Sequence, residues 1–168
     1  MGWIRPLSLA EKLVVAVIGL GLVHHADHVL RADHYGFPFK PQVTLFTFTL
    51  GFYVIFATVL WARSYPWYRV WAMAFVVAAT LFAHTMIEPP QQIWGTWADN
   101  VSRPAPLFTP DGSKNQLNVE SPLLAVLAIV DVLLLQAAMI GALVLFIGEA
   151  RRGRPRADRS ATRAPGSL

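Results

Sequence analysis

The run Pro122–Ile147, PLLAVLAIVDVLLLQAAMIGALVLFI, decides the fold of this chain. It is longer than the ~20 residues that a helix needs to cross the hydrocarbon core of a bilayer. Asp131 is the only charged residue in it, and Pro122 suits the first turn of a helix, where its missing N–H has no intrahelical partner. The run therefore predicts a transmembrane helix.

Three further apolar stretches are long enough for the same role, at about residues 7–30, 43–62 and 68–87. The chain has only 14% charged residues, whereas soluble domains have roughly 25%. We therefore predict an all-α fold, an integral membrane four-helix bundle that occupies residues 1–150. Residues 151–168 form a basic tail, rich in Arg, Ala, Pro and Ser, which we expect to be disordered.

The distribution of basic residues predicts the orientation of the bundle. With both termini on one side of the membrane, that side has ten Lys and Arg residues and the other side has four. Because basic residues accumulate on the cytoplasmic side, both termini are predicted to be cytoplasmic. The long loop 88–121 then lies outside, and its Trp94 and Trp97 suit the interfacial belt. This describes a multi-pass protein of a bacterial plasma membrane.

Charge and cysteine content exclude several classes of partner. Six of the fourteen basic residues lie in the last eighteen positions, which is typical of a topology signal beside anionic lipid. Membrane lipid is therefore the expected partner of the tail, and nucleic acid is not. The chain has no cysteine, which excludes disulfides and thiolate metal ligands.

The most informative polar segment is His24–His34, HHADHVLRADH, which holds four of the five histidines in the chain. Successive residues of a helix are rotated by about 100°, so residues three and four apart share a face. His25 points away from that face. The residues that share it are His24, Asp27, His28 and Arg31.

The third helix carries a second pair of polar residues, His84 and Glu88. Two residues at i and i+4 on one helix can both reach one metal ion. The predicted topology places this pair and the histidines of the first helix near the outer ends of their helices. The predicted metal ligands are His24, His28, His84 and Glu88.

Two aspartates are candidates for a proton relay or for residues that orient a histidine. Asp27 lies among the histidines of the first helix. Asp131 lies near mid-bilayer, where an ionised side chain costs at least ~2.5–3.5 kcal/mol, so it should face the other helices and have a partner. By helix rise, Asp131 is predicted to lie one or two turns deeper than His24 and His84.

Imidazole with carboxylate, in the absence of thiolate, is typical of sites for zinc, iron, copper or manganese. A metal with an open coordination position activates water or oxygen. The chain is therefore interpreted as a metal-binding membrane protein. It could act as a metal-dependent oxidoreductase or hydrolase on a membrane-embedded or extracytoplasmic small molecule.

Three alternative functions and one structural interpretation remain open. A b-type haem held by His84 and a histidine of the first helix would make the protein a membrane cytochrome. A small proton-coupled transporter or channel subunit would use Asp131 and act as a homo-oligomer. The chain could also be an accessory subunit of a larger membrane complex. In the structural interpretation Asp27 pairs with Arg31, and Arg31, Asp33 and His34 cap the helix at the headgroup level.

Overall fold

The computed structural model describes residues 6–31, 48–103 and 114–152, and the regular secondary structure in these ranges is entirely helical. The predicted disordered tail lies outside the described residues from position 153 onward, as do Asp33 and His34. The central part of the predicted outer loop, residues 104–113, is also outside them.

Helix α1 spans Leu9–Arg31, close to the predicted 7–30. Its start is stabilised by a reciprocal cap, because the Ser8 backbone N–H donates to Glu11 Oε2 at 2.8 Å and the Glu11 N–H donates to Ser8 Oγ at 3.3 Å. This pattern satisfies two backbone donors that would otherwise have no partner at a helix start. At the other end, the Gln116 N–H donates to the Leu30 carbonyl at 2.8 Å.

The next two helices are joined by a short connection. Helix α2 spans Gly51–Trp61; the prediction for this region was 43–62, of which residues 43–47 lie outside the described residues. Helix α3 spans Pro66–Phe82 and continues as a π-helical turn over Ala83–Ile87. The Glu88 N–H donates to the Ala83 carbonyl at 2.8 Å, five residues back, and closes that turn.

Helix α4 spans Pro90–Ala98. It lies in the region that was predicted to be a loop after the third helix. Pro90 occupies its first turn, where proline is well tolerated. Helix α5 spans Pro122–Arg152. It extends five residues past the predicted end at Ile147, so that Arg151 and Arg152 belong to the helix.

Three helical segments are long and apolar enough to cross a membrane, Leu9–Arg31, Pro66–Ile87 and Pro122–Arg152. Helix α2 is apolar but has only 11 described residues. The three long segments indicate a membrane protein, in agreement with the prediction from composition.

The long helix α5 packs against α1, α3 and α4, and α2 packs against α1 and α3. Because α2 and α5 each contact both α1 and α3, side chains of α1 and α3 can meet between them. The residues of the main apolar core include Val14, Val17, Phe56, Val59, Met73, Val76, Leu135 and Met139.

One end of this core is closed by ion pairs of the buried Glu11 and Arg69 with each other and with the partly exposed Arg63 and Glu149; these four residues are here called the arginine cluster. Glu11 accepts from Arg63 at 2.8 and 3.0 Å and from Arg69 at 3.0 Å. Arg69 also lies 3.5 Å from Glu149, and its guanidinium sits 4.0 Å from the centre of the Phe146 ring. The cluster joins α1, α3, α5 and the connection after α2.

Candidate functional site

The predicted ligands His24, His28, His84 and Glu88, here called the histidine cluster, come together at the other end of the core. Nε2 of His24 lies 3.1 Å from Nε2 of His28 and 3.2 Å from Nε2 of His84. Nε2 of His28 lies 2.9 Å from Oε2 of Glu88. The cluster therefore joins the C-terminal part of α1 to the end of α3 across the interior of the molecule.

Ligand atoms of His24, His84 and Glu88 all lie within 4.8 Å of one another, close enough to hold one metal ion. His28 stands directly beside two members of this group, with the rings of His24 and His28 nearly perpendicular and their centres 4.6 Å apart. The side chains of His24, His28 and Glu88 are buried. Imidazole nitrogens and a carboxylate in such proximity form a possible His/Glu site.

The two histidines of α1 meet for the expected reason, since residues four apart on a regular helix share a face. His84 and Glu88 meet for a different reason. The expected regular helix through this pair is interrupted by the π-helical turn Ala83–Ile87, and Glu88, with φ −136° and ψ 69°, has left the helical conformation. A π-helical turn changes the direction of the side chains that follow it, and such turns are frequent at functional sites.

Hydrogen bonding orients the His84 ring toward the centre of the cluster. Its Nδ1 lies 2.9 Å from the Thr80 carbonyl oxygen. A carbonyl only accepts, so Nδ1 carries the proton and Nε2 presents its lone pair. Because that Nε2 is the atom that faces His24, the ring is in the tautomer that a metal ligand requires.

The Glu88 carboxylate is held by two neighbours. Its Oε1 accepts from Nη1 of Arg31, which leaves Oε2 facing His28. Glu88 lies one residue beyond the apolar segment Pro66–Ile87. Burial alone would raise its pKa, but the Arg31 guanidinium and the His28 ring hold the pKa of this carboxyl well below its usual range. The group is therefore an ionised carboxylate.

The structure contradicts one of the two structural interpretations of Arg31 and contains the contact that the other predicts. Arg31 is fully buried, so the interpretation of Arg31 as an interfacial cap is wrong. The predicted pair with Asp27 is present, with Nε of Arg31 2.7 Å from Oδ2 of Asp27. The other oxygen, Oδ1, accepts from the Trp97 indole at 2.7 Å. Asp27 thus orients the arginine that holds Glu88.

Trp97 was expected in the interfacial belt, but its side chain is buried against Ala125, Ala128 and Val132 of α5. Trp94 remains partly exposed. Nothing in the spacing of the sequence connects Trp97 with Asp27, because 70 positions separate them. Only the docking of α4 against α5 brings the indole to the aspartate.

Asp131 lies beside the cluster. Its Oδ2 is 3.7 Å from Nδ1 of His24, so its carboxylate reaches the level of the histidines, although its backbone was predicted one or two turns deeper. Both atoms are buried and have no hydrogen-bond partner among the described residues. At 3.7 Å the two atoms do not form a hydrogen bond; a shorter contact of this kind would orient the His24 ring.

His25 points away from the cluster, as the helical periodicity predicts. Its Nδ1 donates to the Gly21 carbonyl at 2.7 Å, and its Nε2 lies 3.1 Å from the Thr49 hydroxyl. The Tyr53 hydroxyl lies 3.0 Å from the same ring. These contacts give His25 a structural role between α1 and the region of α2.

A cavity of about 130 Å³ lies against the histidine cluster. Residues from α1, α2, α3 and α5 contribute to its wall. The apolar lining residues include Val17, Phe52, Phe56, Ala79, Leu135 and Met139.

Comparison with known proteins adds no family to this description: no protein-family model, curated protein or solved structure matches the chain.

Proposed function

We propose that this protein is a four-helix integral membrane bundle that binds a transition-metal ion through His24, His28, His84 and Glu88. The observation that carries the proposal is the convergence of the ligand atoms of His24, His84 and Glu88 within 4.8 Å of one another. In this proposal α2 is the fourth transmembrane helix. Both termini are cytoplasmic, and the metal lies near the extracytoplasmic face.

The spacing of the ligand atoms supports a metal ion. In a tetrahedral site with metal–nitrogen bonds of ~2.0–2.1 Å, neighbouring ligand atoms lie about 3.3 Å apart. The nitrogen–nitrogen separations from His24 to His28 and to His84 are 3.1 and 3.2 Å. Nε2 of His84 presents its lone pair toward Nε2 of His24, and a shared cation can bind two such nitrogens. Nε2 of His28 faces the ionised Glu88 at 2.9 Å and must give up a proton there to join as a further ligand.

The ligand types restrict the choice of metal. Three imidazoles and one carboxylate suit zinc, iron, copper or manganese, and the chain has no cysteine to favour a thiolate metal. Arg31 occupies one oxygen of Glu88, which leaves the other as a single ligand atom. Four protein ligands fill a tetrahedral site, so a bound molecule, water or oxygen would be polarised or activated only in a fifth coordination position on the side of the adjacent cavity. This chemistry supports a metal-dependent oxidoreductase or hydrolase.

Elemental analysis of the protein purified in mild detergent tests the metal site. We expect close to one transition-metal ion per chain in the wild type and loss of the metal in His84→Ala and His28→Ala. His25→Ala is the matched control, since it removes an imidazole of the same helix that lies outside the cluster. Metal that persists in both cluster variants, or is absent from folded wild type, contradicts the proposal.

An absorption spectrum of the same samples tests the haem alternative. A b-type haem has a Soret band, whereas a site of imidazoles and a carboxylate does not. We expect no Soret band in the wild type. A Soret band that disappears in His84→Ala but not in His25→Ala would replace the metal-ion proposal by the haem alternative.

The absence of cysteine makes the proposed topology directly testable. Ser64, between α2 and α3, and Glu120, before α5, are both exposed. We expect a membrane-impermeant maleimide to label Glu120→Cys in intact spheroplasts and Ser64→Cys only after permeabilisation. The reverse pattern would place the histidine cluster on the cytoplasmic side and leave the metal proposal itself unchanged.

A further inference from the structure

The cavity beside the histidine cluster has a size and a wall that suit one class of ligand. We propose that it binds a small apolar molecule, of the size of xenon or benzene, directly beside the metal. Its role as a substrate pocket rests on the proposed metal site, whereas the binding itself depends only on the cavity wall.

The polar side chains that line the cavity direct their polar atoms elsewhere. The Thr80 hydroxyl donates to the Val76 carbonyl at 2.9 Å. The Nδ1 atoms of His25 and His84 donate to backbone carbonyls of their own helices. The Tyr53 hydroxyl lies against the His25 ring. What faces the cavity is therefore mainly the carbon surface of these side chains.

Away from the histidine cluster, water is a poor occupant of such a space, because a buried water needs two to four polar partners. An apolar occupant fits better. An engineered apolar cavity of about 150 Å³ in another protein stays dry and binds benzene or xenon. The present cavity, at about 130 Å³, is close to that size.

The polar atoms that remain for a ligand are those of the histidine cluster. Nε2 of His24 and Nε2 of His84 face each other 3.2 Å apart, and both residues line the cavity together with Glu88. A molecule in the cavity therefore has apolar surroundings except for the side where the metal would be. This arrangement selects a small apolar substrate over a charged or strongly hydrated one.

Xenon is the probe for the test, measured by 129Xe NMR on the full chain in lipid nanodiscs, with empty nanodiscs as the lipid background. Ala79 lines the cavity and Ala78 beside it is exposed. We expect saturable xenon binding in the wild type and in Ala78→Leu, and its loss in Ala79→Leu, where the larger side chain fills the space.

A second pair of variants makes a smaller change, in case Ala79→Leu does not fold. A methyl group added at Gly21 would lie 3.1 Å from the Tyr53 hydroxyl, at the cavity wall, whereas one added at Gly19 would have no atom within 4 Å. We expect weaker xenon binding in Gly21→Ala and unchanged binding in Gly19→Ala. Absence of saturable binding in the wild type, or equal binding within each pair, overturns the inference.

Loading the protein with Mn²⁺ or Zn²⁺ tests whether the xenon lies beside the metal. Paramagnetic Mn²⁺ should broaden the bound-xenon line relative to diamagnetic Zn²⁺, and His84→Ala should abolish the difference. Saturable xenon binding without any bound metal would refute the proposed function but not the cavity inference. Bound metal without xenon binding would refute the cavity inference but not the proposed function.

Discussion

The histidine cluster and the arginine cluster both bury ionisable side chains between helices, at opposite ends of the same core. Glu11 and His24 are about 20 Å apart along α1, at ~1.5 Å per residue. In the arginine cluster two carboxylates meet two guanidiniums, and Glu11 binds both arginines. In the histidine cluster the Nε2 atoms of His28 and His84 converge on that of His24, and the His28 ring also contacts the single carboxylate, Glu88. In the arginine cluster the positive and negative side chains neutralise each other. The histidine cluster, in contrast, has imidazole nitrogens that can bind a cation.

This difference separates stabilisation from function. Guanidinium groups donate hydrogen bonds but have no lone pair for a metal, and they already occupy the carboxylates of the arginine cluster, so this cluster is suited to joining helices. Imidazole can present a lone pair, and the histidine cluster also borders a cavity. Apolar residues such as Val17, Val76 and Met139 lie between the two clusters. We therefore expect substitutions at one cluster to leave the property of the other unchanged.

The largest expected effect on stability is that of Glu11→Ala. The substitution leaves buried Arg69 without its closest carboxylate, and removal of one partner from a buried ion pair costs about 3–5 kcal/mol. Denaturant unfolding in mixed micelles measures the loss, and metal content per folded chain should not change. Glu149→Ala is the control and should cost less, since Glu149 is partly exposed and 3.5 Å from Arg69. A free energy of unfolding equal to that of the wild type in Glu11→Ala would show that the arginine cluster does not stabilise the fold.

The next effect in size is on metal affinity. Asp131→Asn keeps the shape of the side chain but removes the carboxylate beside Nδ1 of His24, and such changes lower metal affinity about 10–100-fold. Competition with a chelator measures the affinity, while the unfolding midpoint should change little. Asp99→Asn, at an exposed carboxylate of α4's end, is the matched control.

Asp131→Asn also tests the transporter alternative. If Asp131 carries protons, the variant should lose proton flux in reconstituted vesicles while its metal affinity stays at the wild-type value. That result would contradict the orienting role described above.

The smallest expected effect comes from Trp97→Phe, which removes the indole donor to Asp27 and keeps an aromatic ring against α5. Hydrogen bonds to charged groups contribute about 1.5–3 kcal/mol, and we expect the low end because Asp27 retains Arg31. The unfolding free energy measures this change, and metal affinity should fall less than in Asp131→Asn. Trp94→Phe is the control, and a loss equal to that of Trp97→Phe would show that the hydrogen bond is unimportant.

Much of the candidate site was predictable because helical periodicity is regular. The shared face of His24, Asp27, His28 and Arg31 follows from 100° per residue, and so does the outward position of His25. The pair His84 and Glu88 was found by the same rule, although the π-helical turn means that the rule does not describe their actual geometry. The contacts of Arg31 with Glu88 and of Trp97 with Asp27 could not be found this way, because the partners are 57 and 70 positions apart.

The sequence by itself predicted four membrane-spanning segments, of which three are long and apolar enough in the structure, and the side chains that these helices direct inward, since apolar length and helical rotation are local properties of the chain. Only the tertiary structure decided that α1 and α3 bring their histidines within 3.2 Å, that Arg31 holds Glu88, and that Trp97 reaches Asp27. These contacts depend on how α5 and α2 pack against both helices. Such packing is set by the fit of side chains far apart in sequence, which no local pattern records.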